Sequence, residues 1–118
     1  MVYMARIKLI TKELEKKLPN IGKSTPKGDP ICLIKLFNPC GAGTWWIAEK
    51  EKDGDLLYGI AEIFEREIGY FSLSEIEALQ CPGAILINGY KKRFSLPVER
   101  DLYFDPTPMS EIMKDGGY

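Results

Sequence analysis

The chain has 118 residues, 45% apolar and 28% charged, which fits one soluble domain with a core of its own. A formal net charge of −1 gives no global electrostatic case for nucleic acid, and no apolar run approaches the roughly 18 residues that cross a bilayer. Histidine is absent, which excludes Ser-His-Asp and Cys-His nucleophile pairs within the chain and removes the commonest general base near neutral pH.

The first eight residues contain no apolar h-region, so no signal peptide is expected and the setting reads as cytoplasmic. Thr11 is the N-cap of a first helix, with Glu13 in its first turn. Leu14 and Leu18 share one face, and Pro19 ends the helix. So short a helix must be held by docking rather than by its own propensity. Residues 19–30 form a loop. Within it Gly22-Lys23-Ser24 matches the end of a phosphate-binding loop. Lys17 stands where the earlier glycine belongs and no strand precedes it, so phosphate is not expected there.

Residues 31–37 are apolar on both alternations, as in a strand covered on both faces. After the turn 38–43, Thr44 to Glu49 form the next strand. Simple pleating sets Trp45, Ile47 and Glu49 on one side, Trp46 and Ala48 on the other. Asp53-Gly54 is a hairpin signal before a third strand, residues 56–61. Residues 62–68 either continue that strand or make one helical turn. Gly69 after them favours a turn, with a positive φ at the glycine. Ser72 and Glu75 form a capping box for a helix from Leu73 to Gln80, stopped by Cys81-Pro82-Gly83. Asn88-Gly89 joins residues 84–87 to 90–94 as an added hairpin. Pro97 marks residues 99–104 as an edge strand, and Ser110 caps a last short turn. The fold class is α+β: one domain, residues 1–118, with a small antiparallel sheet, a meander of about three to five strands, and two short helices.

The three cysteines are Cys32, Cys40 and Cys81. An odd number with no export signal argues against a disulfide framework, and a Cys40–Cys81 bridge requires their loops to meet. Without histidine or a CxxC pair, a structural zinc site is not expected. No cofactor is implied.

Several motifs stand in the order of one family. They are Phe37-Asn38-Pro39, Thr44-Trp45-Trp46-Ile47-Ala48-Glu49, Gly69-Tyr70-Phe71-Ser72-Leu73-Ser74-Glu75-Ile76, Val98-Glu99-Arg100-Asp101 and Phe104-Asp105-Pro106-Thr107-Pro108. Leu9 to Leu14 and Leu18-Pro19 fit as well. The chain resembles the bacterial and phage proteins catalogued as domain of unknown function 2958 (DUF2958). The resemblance implies a mobile-element setting, on plasmids, conjugative elements and phages, near DNA-processing and anti-restriction genes. It carries no catalytic residue with it. The turn from Pro39 to Thr44 is richer in glycine than the family pattern, and the segment from Cys81 to Phe94 is longer.

Two readings of function follow. The first is a non-enzymatic binding module with a protein or nucleic-acid partner and no membrane. Charge is unevenly spread: residues 1–29 hold seven Lys/Arg against three Asp/Glu, and residues 49–77 hold nine acids against three bases. A nucleic-acid surface would draw on Lys16 and Lys17, with Lys12, Lys23 and Lys27 nearby, and on Lys91, Lys92 and Arg93, with Tyr90 or Trp46 as a stacking face. A protein partner would meet the acidic 49–77 face, whose charges resemble a nucleic-acid backbone. The alternative is a carboxylate-based, metal-dependent hydrolase acting on phosphodiesters, with Glu49, Glu99, Arg100 and Asp101 as candidate residues. A purely structural account has Glu75 capping its helix and Arg100 paired with a carboxylate, Glu49 or Glu67.

Overall fold

The protein's computed structural model describes residues 8–24, 28–39 and 41–115. Helix α1, Lys12–Lys17, begins where its hydroxyl cap requires: the Thr11 side chain accepts from the Leu14 backbone N–H at 3.2 Å. Such a cap contributes about 1 kcal/mol. No residue of α1 is fully buried, but Leu14 packs on the core and Leu18, just past the helix, is buried in it.

The strands are β1 (Ile31–Cys32), β2 (Ile34–Phe37), β3 (Thr44–Lys50), β4 (Leu56–Glu62) and β5 (Arg66–Ser72). After helix α2 (Leu73–Ala78) come β6 (Gln80–Ile87), β7 (Tyr90–Pro97), β8 (Glu99–Arg100), β9 (Thr107–Pro108) and helix α3 (Met109–Asp115). The main sheet has five strands in the order β5-β4-β3-β2-β8, all antiparallel. The predicted three-strand meander is β2 to β4, β5 extends it where a turn was expected, and β8 is the predicted edge, shorter than expected. β1 pairs with β9, and β6 with β7, each as a separate two-stranded ribbon. A third helix, α3, joins the two predicted ones.

Both faces of the sheet are covered. Trp45, Ile47, Leu36, Ile34 and Leu57 pack on one face with Leu9, Ile10, Leu18, Ile76 and Val98. Trp46, Ala48, Ile60 and Cys32 pack on the other with Met109 and Ile112 of α3. Each fully buried aliphatic side chain contributes about 1.5–3 kcal/mol. The Trp45-Trp46 pair is thus core on both sides, as pleating predicts.

The pleat breaks once. Ile47 pairs with Gly59 and Glu49 with Tyr58, leaving Ala48 as an extra residue, a β-bulge. The bulge moves Glu49 from the expected face of Trp45 to that of Tyr58, and turns Lys50, opposite Leu57, toward the other. It also explains Gly59: a Cβ there would stand 1.9 Å from the Trp46 carbonyl oxygen.

Residues 62–68 are neither a helical turn nor one continuous strand. β4 ends at Glu62, residues 63–65 turn, and β5 runs straight through Gly69, which pairs with Gly59 and lacks the predicted positive φ. Cys81, Pro82 and Gly83 do not stop α2 at Gln80. The helix ends at Ala78, and these residues already pair in β6. Ser110 lies within α3 rather than before it, and its N–H and hydroxyl both donate to Asp29.

Candidate nucleic-acid interface

The β6–β7 ribbon is built by its turn. Asn88 and Gly89 take φ of 50° and 82°, the left-handed pair that the twist of a tight hairpin demands. Ile87 pairs with Tyr90 and the register continues without a break to Gln80 opposite Pro97. Eight residues per strand give an arm of about 27 Å at roughly 3.4 Å per residue. The ribbon does not join the main sheet, and the radius of gyration, 16.0 Å, exceeds the about 13.5 Å of a compact chain of this length.

Lys91, Lys92 and Arg93 stand exposed in succession on β7. Alternation sends Lys91 and Arg93 to one face of the ribbon and Lys92 to the other. Residues 80–97 contain no acid, so the arm carries +3 and the rest of the chain −4. Tyr90 and Leu86, at the tip, are 79% and 77% exposed. Trp46, the other stacking candidate, is buried: the Arg66 guanidinium lies 4.8 Å and the Lys35 ammonium 5.9 Å from its ring centroid. Tyr90 is therefore the aromatic available to a base.

Lys16 and Lys17 are exposed on α1, away from the ribbon's own pairing. Lys16 borders a shallow cavity of about 410 Å³ between α1 and the turn after β3, together with Lys12, Lys50 and Lys52. Lys50 is already engaged. Its side chain is 7% exposed, and its ammonium donates to Glu15 at 2.9 Å and to the carbonyls of Glu51 and Gly54 at 3.1 and 2.7 Å. The Lys50 bond and charge hold the Glu15 carboxyl below its ordinary 4.5.

The acidic candidates have other partners. Glu49, 1% exposed, accepts from the backbone N–H groups of Gly22 and Ser24 at 2.9 and 2.8 Å and from the Ser24 hydroxyl. The Gly22-Lys23-Ser24 loop does cradle an anion, but that anion is the protein's own carboxylate. Arg100 donates to the carbonyls of Lys8 and Leu9, the latter at 2.9 Å, and so fastens the N-terminal segment to β8; the expected carboxylate partner, Glu49 or Glu67, is replaced by backbone. Asp101 accepts from the Tyr103 N–H at 2.9 Å and lies 3.9 Å from Lys35. Glu99 pairs with Phe37, itself opposite Thr44, at the far end of β3 from Glu49. Thr44 and Glu49 are five steps apart along β3, roughly 15 Å. Among the described residues no group of three or more acids or cysteines is gathered to hold a metal ion.

Two acids that the sequence did not single out matter more locally. Asp55 accepts from the Ser74 N–H at 2.8 Å and from the hydroxyls of Ser72 and Ser74. These bonds lower its carboxyl below its ordinary 3.8, the Ser72 hydroxyl contributing most. Ser72 caps α2 as predicted, accepting from Glu75 N–H at 3.4 Å, but Asp55 fixes the cap from the turn before β4. Asp29 does the same for α3 through Ser110. Cys32 is buried and free, and burial pushes its thiol up to about 12. Cys40, the first half of the conditional Cys40–Cys81 bridge, lies outside the described residues.

Among the described residues no helix is long and apolar enough to cross a membrane. No curated protein and no solved structure matches the chain. One family model does, over residues 9–115, from the first core leucine through α3: the chain belongs to the family described as Protein of unknown function (DUF2958).

Proposed function

We propose that the protein is a binding module whose contact element is the β6–β7 arm and whose partner is a nucleic acid. One observation carries this reading: a free-standing ribbon, acid-free along its length, that bears Lys91, Lys92 and Arg93 exposed beside Tyr90. A major groove about 12 Å wide admits a two-stranded ribbon, and basic side chains along it meet phosphates on either wall. An exposed Tyr90 and Leu86 at the tip suit stacking on a base or wedging at a base step. The overall charge of −1 does not oppose this, because the Debye length is about 8 Å at physiological salt and the arm reaches well beyond it. The reading agrees with the mobile-element setting, near DNA-processing genes, that the family resemblance implies.

The test is fluorescence anisotropy with labelled duplex DNA, duplex RNA and single strands over a salt series. Duplex binding that weakens with salt is expected. Lys91→Ala, Lys92→Ala and Arg93→Ala together should flatten the log–log salt slope by about 2.7, at about 0.9 per phosphate contact. Tyr90→Ala should weaken binding and leave the slope unchanged. Absence of salt-dependent affinity for every probe, or a triple variant that binds like the parent, overturns the reading.

A further inference from the structure

β5 is the outer strand of the main sheet, and among the described residues no strand pairs with its far side. It is seven residues long, pairs without a bulge along β4, and exposes Ile68 by 50% and Tyr70 by 61% on one face. Natural edge strands are blunted by charge, proline or a bulge. Here Glu67 is the one exposed charge, since Arg66 is turned inward to Glu62, to the Ile112 carbonyl and over Trp46. At the turn into β5, Ile63 is 52% and Phe64 96% exposed.

Gly69, the midpoint of this strand, is required by none of the described residues. Its φ is not positive, no bulge lies there, and a Cβ built on it meets nothing within 4 Å. A strand glycine costs roughly 0.5–1 kcal/mol against alanine. None of the described residues therefore demands the glycine, and no side chain of its own covers the strand's midpoint.

We propose that β5 is a dimerisation edge, pairing antiparallel with β5 of a second copy about a two-fold axis at Gly69. The strand's own sequence argues for this occupant. Full overlap of Arg66–Ser72 with itself puts the axis on its central residue. The cross-axis partners are then Arg66 with Ser72, Glu67 with Phe71, Ile68 with Tyr70 and Gly69 with Gly69. No like charges face each other, and Ile68 and Tyr70 close an apolar patch with their symmetry mates. Sliding the axis two residues to Glu67 would oppose the two glutamates and leave only residues 66–68 paired. The same register carries the exposed Ile63-Phe64 turn toward the start of α2 in the second copy. The two sheets become one of ten strands, and the open edge disappears. This inference does not depend on the arm, which lies on other strands.

Sedimentation equilibrium on the full chain, from micromolar to sub-millimolar concentration, tests it. The parent protein should approach twice the chain mass. Ile68→Lys with Tyr70→Lys should sediment as a monomer at the same concentrations with an unchanged circular dichroism spectrum, since both side chains are half exposed or more. Gly69→Cys has room for its side chain and should form, under mild oxidation, a covalent dimer whose peptide map joins the two introduced thiols. A parent chain that stays monomeric overturns the proposal. So does a dimer that survives the lysine pair, or one in which the introduced thiols never join. Failure here leaves nucleic-acid affinity unaffected, so the two readings are separable.

Discussion

Replacing Glu49 is the sharpest test of how this fold spends its charge. Its carboxylate accepts two backbone N–H bonds, at 2.9 and 2.8 Å, and a hydroxyl bond from the loop after α1. Hydrogen bonds to a charged group contribute about 1.5–3 kcal/mol each. Gly22 is exposed and Ser24 half-buried, so water can reach the freed donors, and the lower end of that range applies. Glu49→Ala should therefore destabilise by about 3–5 kcal/mol, a large part of the roughly 5–15 kcal/mol of a typical domain. Glu49→Gln keeps one acceptor oxygen but turns an NH2 group against N–H donors, and should cost about 2–3 kcal/mol. Urea unfolding by far-ultraviolet circular dichroism measures both, with the slope m unchanged. Ser24→Ala alone should cost about 1 kcal/mol and almost nothing in the Glu49→Ala background, because the two share one bond. A carboxylate kept for catalysis behaves oppositely: its removal is neutral or stabilising while activity is lost. A Glu49→Ala cost under about 1 kcal/mol, or a Ser24→Ala cost that persists without Glu49, would refute the structural role.

Asp55 and Glu15 both sit below their ordinary values in the folded state, so each adds stability above those values that is lost as pH falls through the lowered ones. The urea midpoint should drop on the acid side of 3.8, and Asp55→Asn should flatten that limb; an unchanged limb would count against the Asp55 cap. Lys50→Met removes three hydrogen bonds between α1 and the turn after β3 and should cost about 1–3 kcal/mol by the same unfolding assay. The Cys32 thiol, raised to about 12, should resist iodoacetamide at pH 8 until the chain unfolds, as peptide mapping of quenched samples would reveal. Arg100→Ala should loosen the segment around Lys8 and Leu9, read as faster amide exchange there than in β3 or β4.

The frame was legible where local chemistry has one answer. Thr11, Ser72 and Asn88-Gly89 each did what a cap or a tight turn requires, and Trp45-Trp46 divided between two faces. Legibility failed where one residue changed the count. Ala48 as a bulge inverts the side of Glu49, and nothing in the stretch 44–50 announces it except Gly59 on the neighbouring strand, which must yield to a carbonyl. Gly69 misled in the other direction. A glycine before two aromatics suggests a turn, but Gly69 lies mid-strand with a non-positive φ and open space where a Cβ would stand. The metal reading failed to gather for a similar reason: Glu49, Glu99 and Asp101 sit in matching motifs, but sequence order does not say which end of β3 each will reach.

The distribution of charge in space also weighs the two kinds of partner against each other. Of the acids between 49 and 77, Glu49 is buried on its loop, Asp55 is tied to two serines and Glu62 to Arg66. Of these only Glu49 is buried and adds little to the potential outside; Asp55 stays exposed and Arg66 offsets Glu62, so two of the nine charges of this stretch are withdrawn. The basic side chains of the arm are in the reverse condition. Lys91, Lys92 and Arg93 face water on a ribbon without an acid. Their desolvation is not offset by any carboxylate of the arm, and their field is open to a partner. Phosphates release counterions when such groups neutralise them, a gain that internal ion pairs have already forgone. Glu49, Asp55 and Asp29 hold a loop and two helix starts in place, while Lys91, Lys92 and Arg93 form an exposed basic cluster with no acid on its own ribbon.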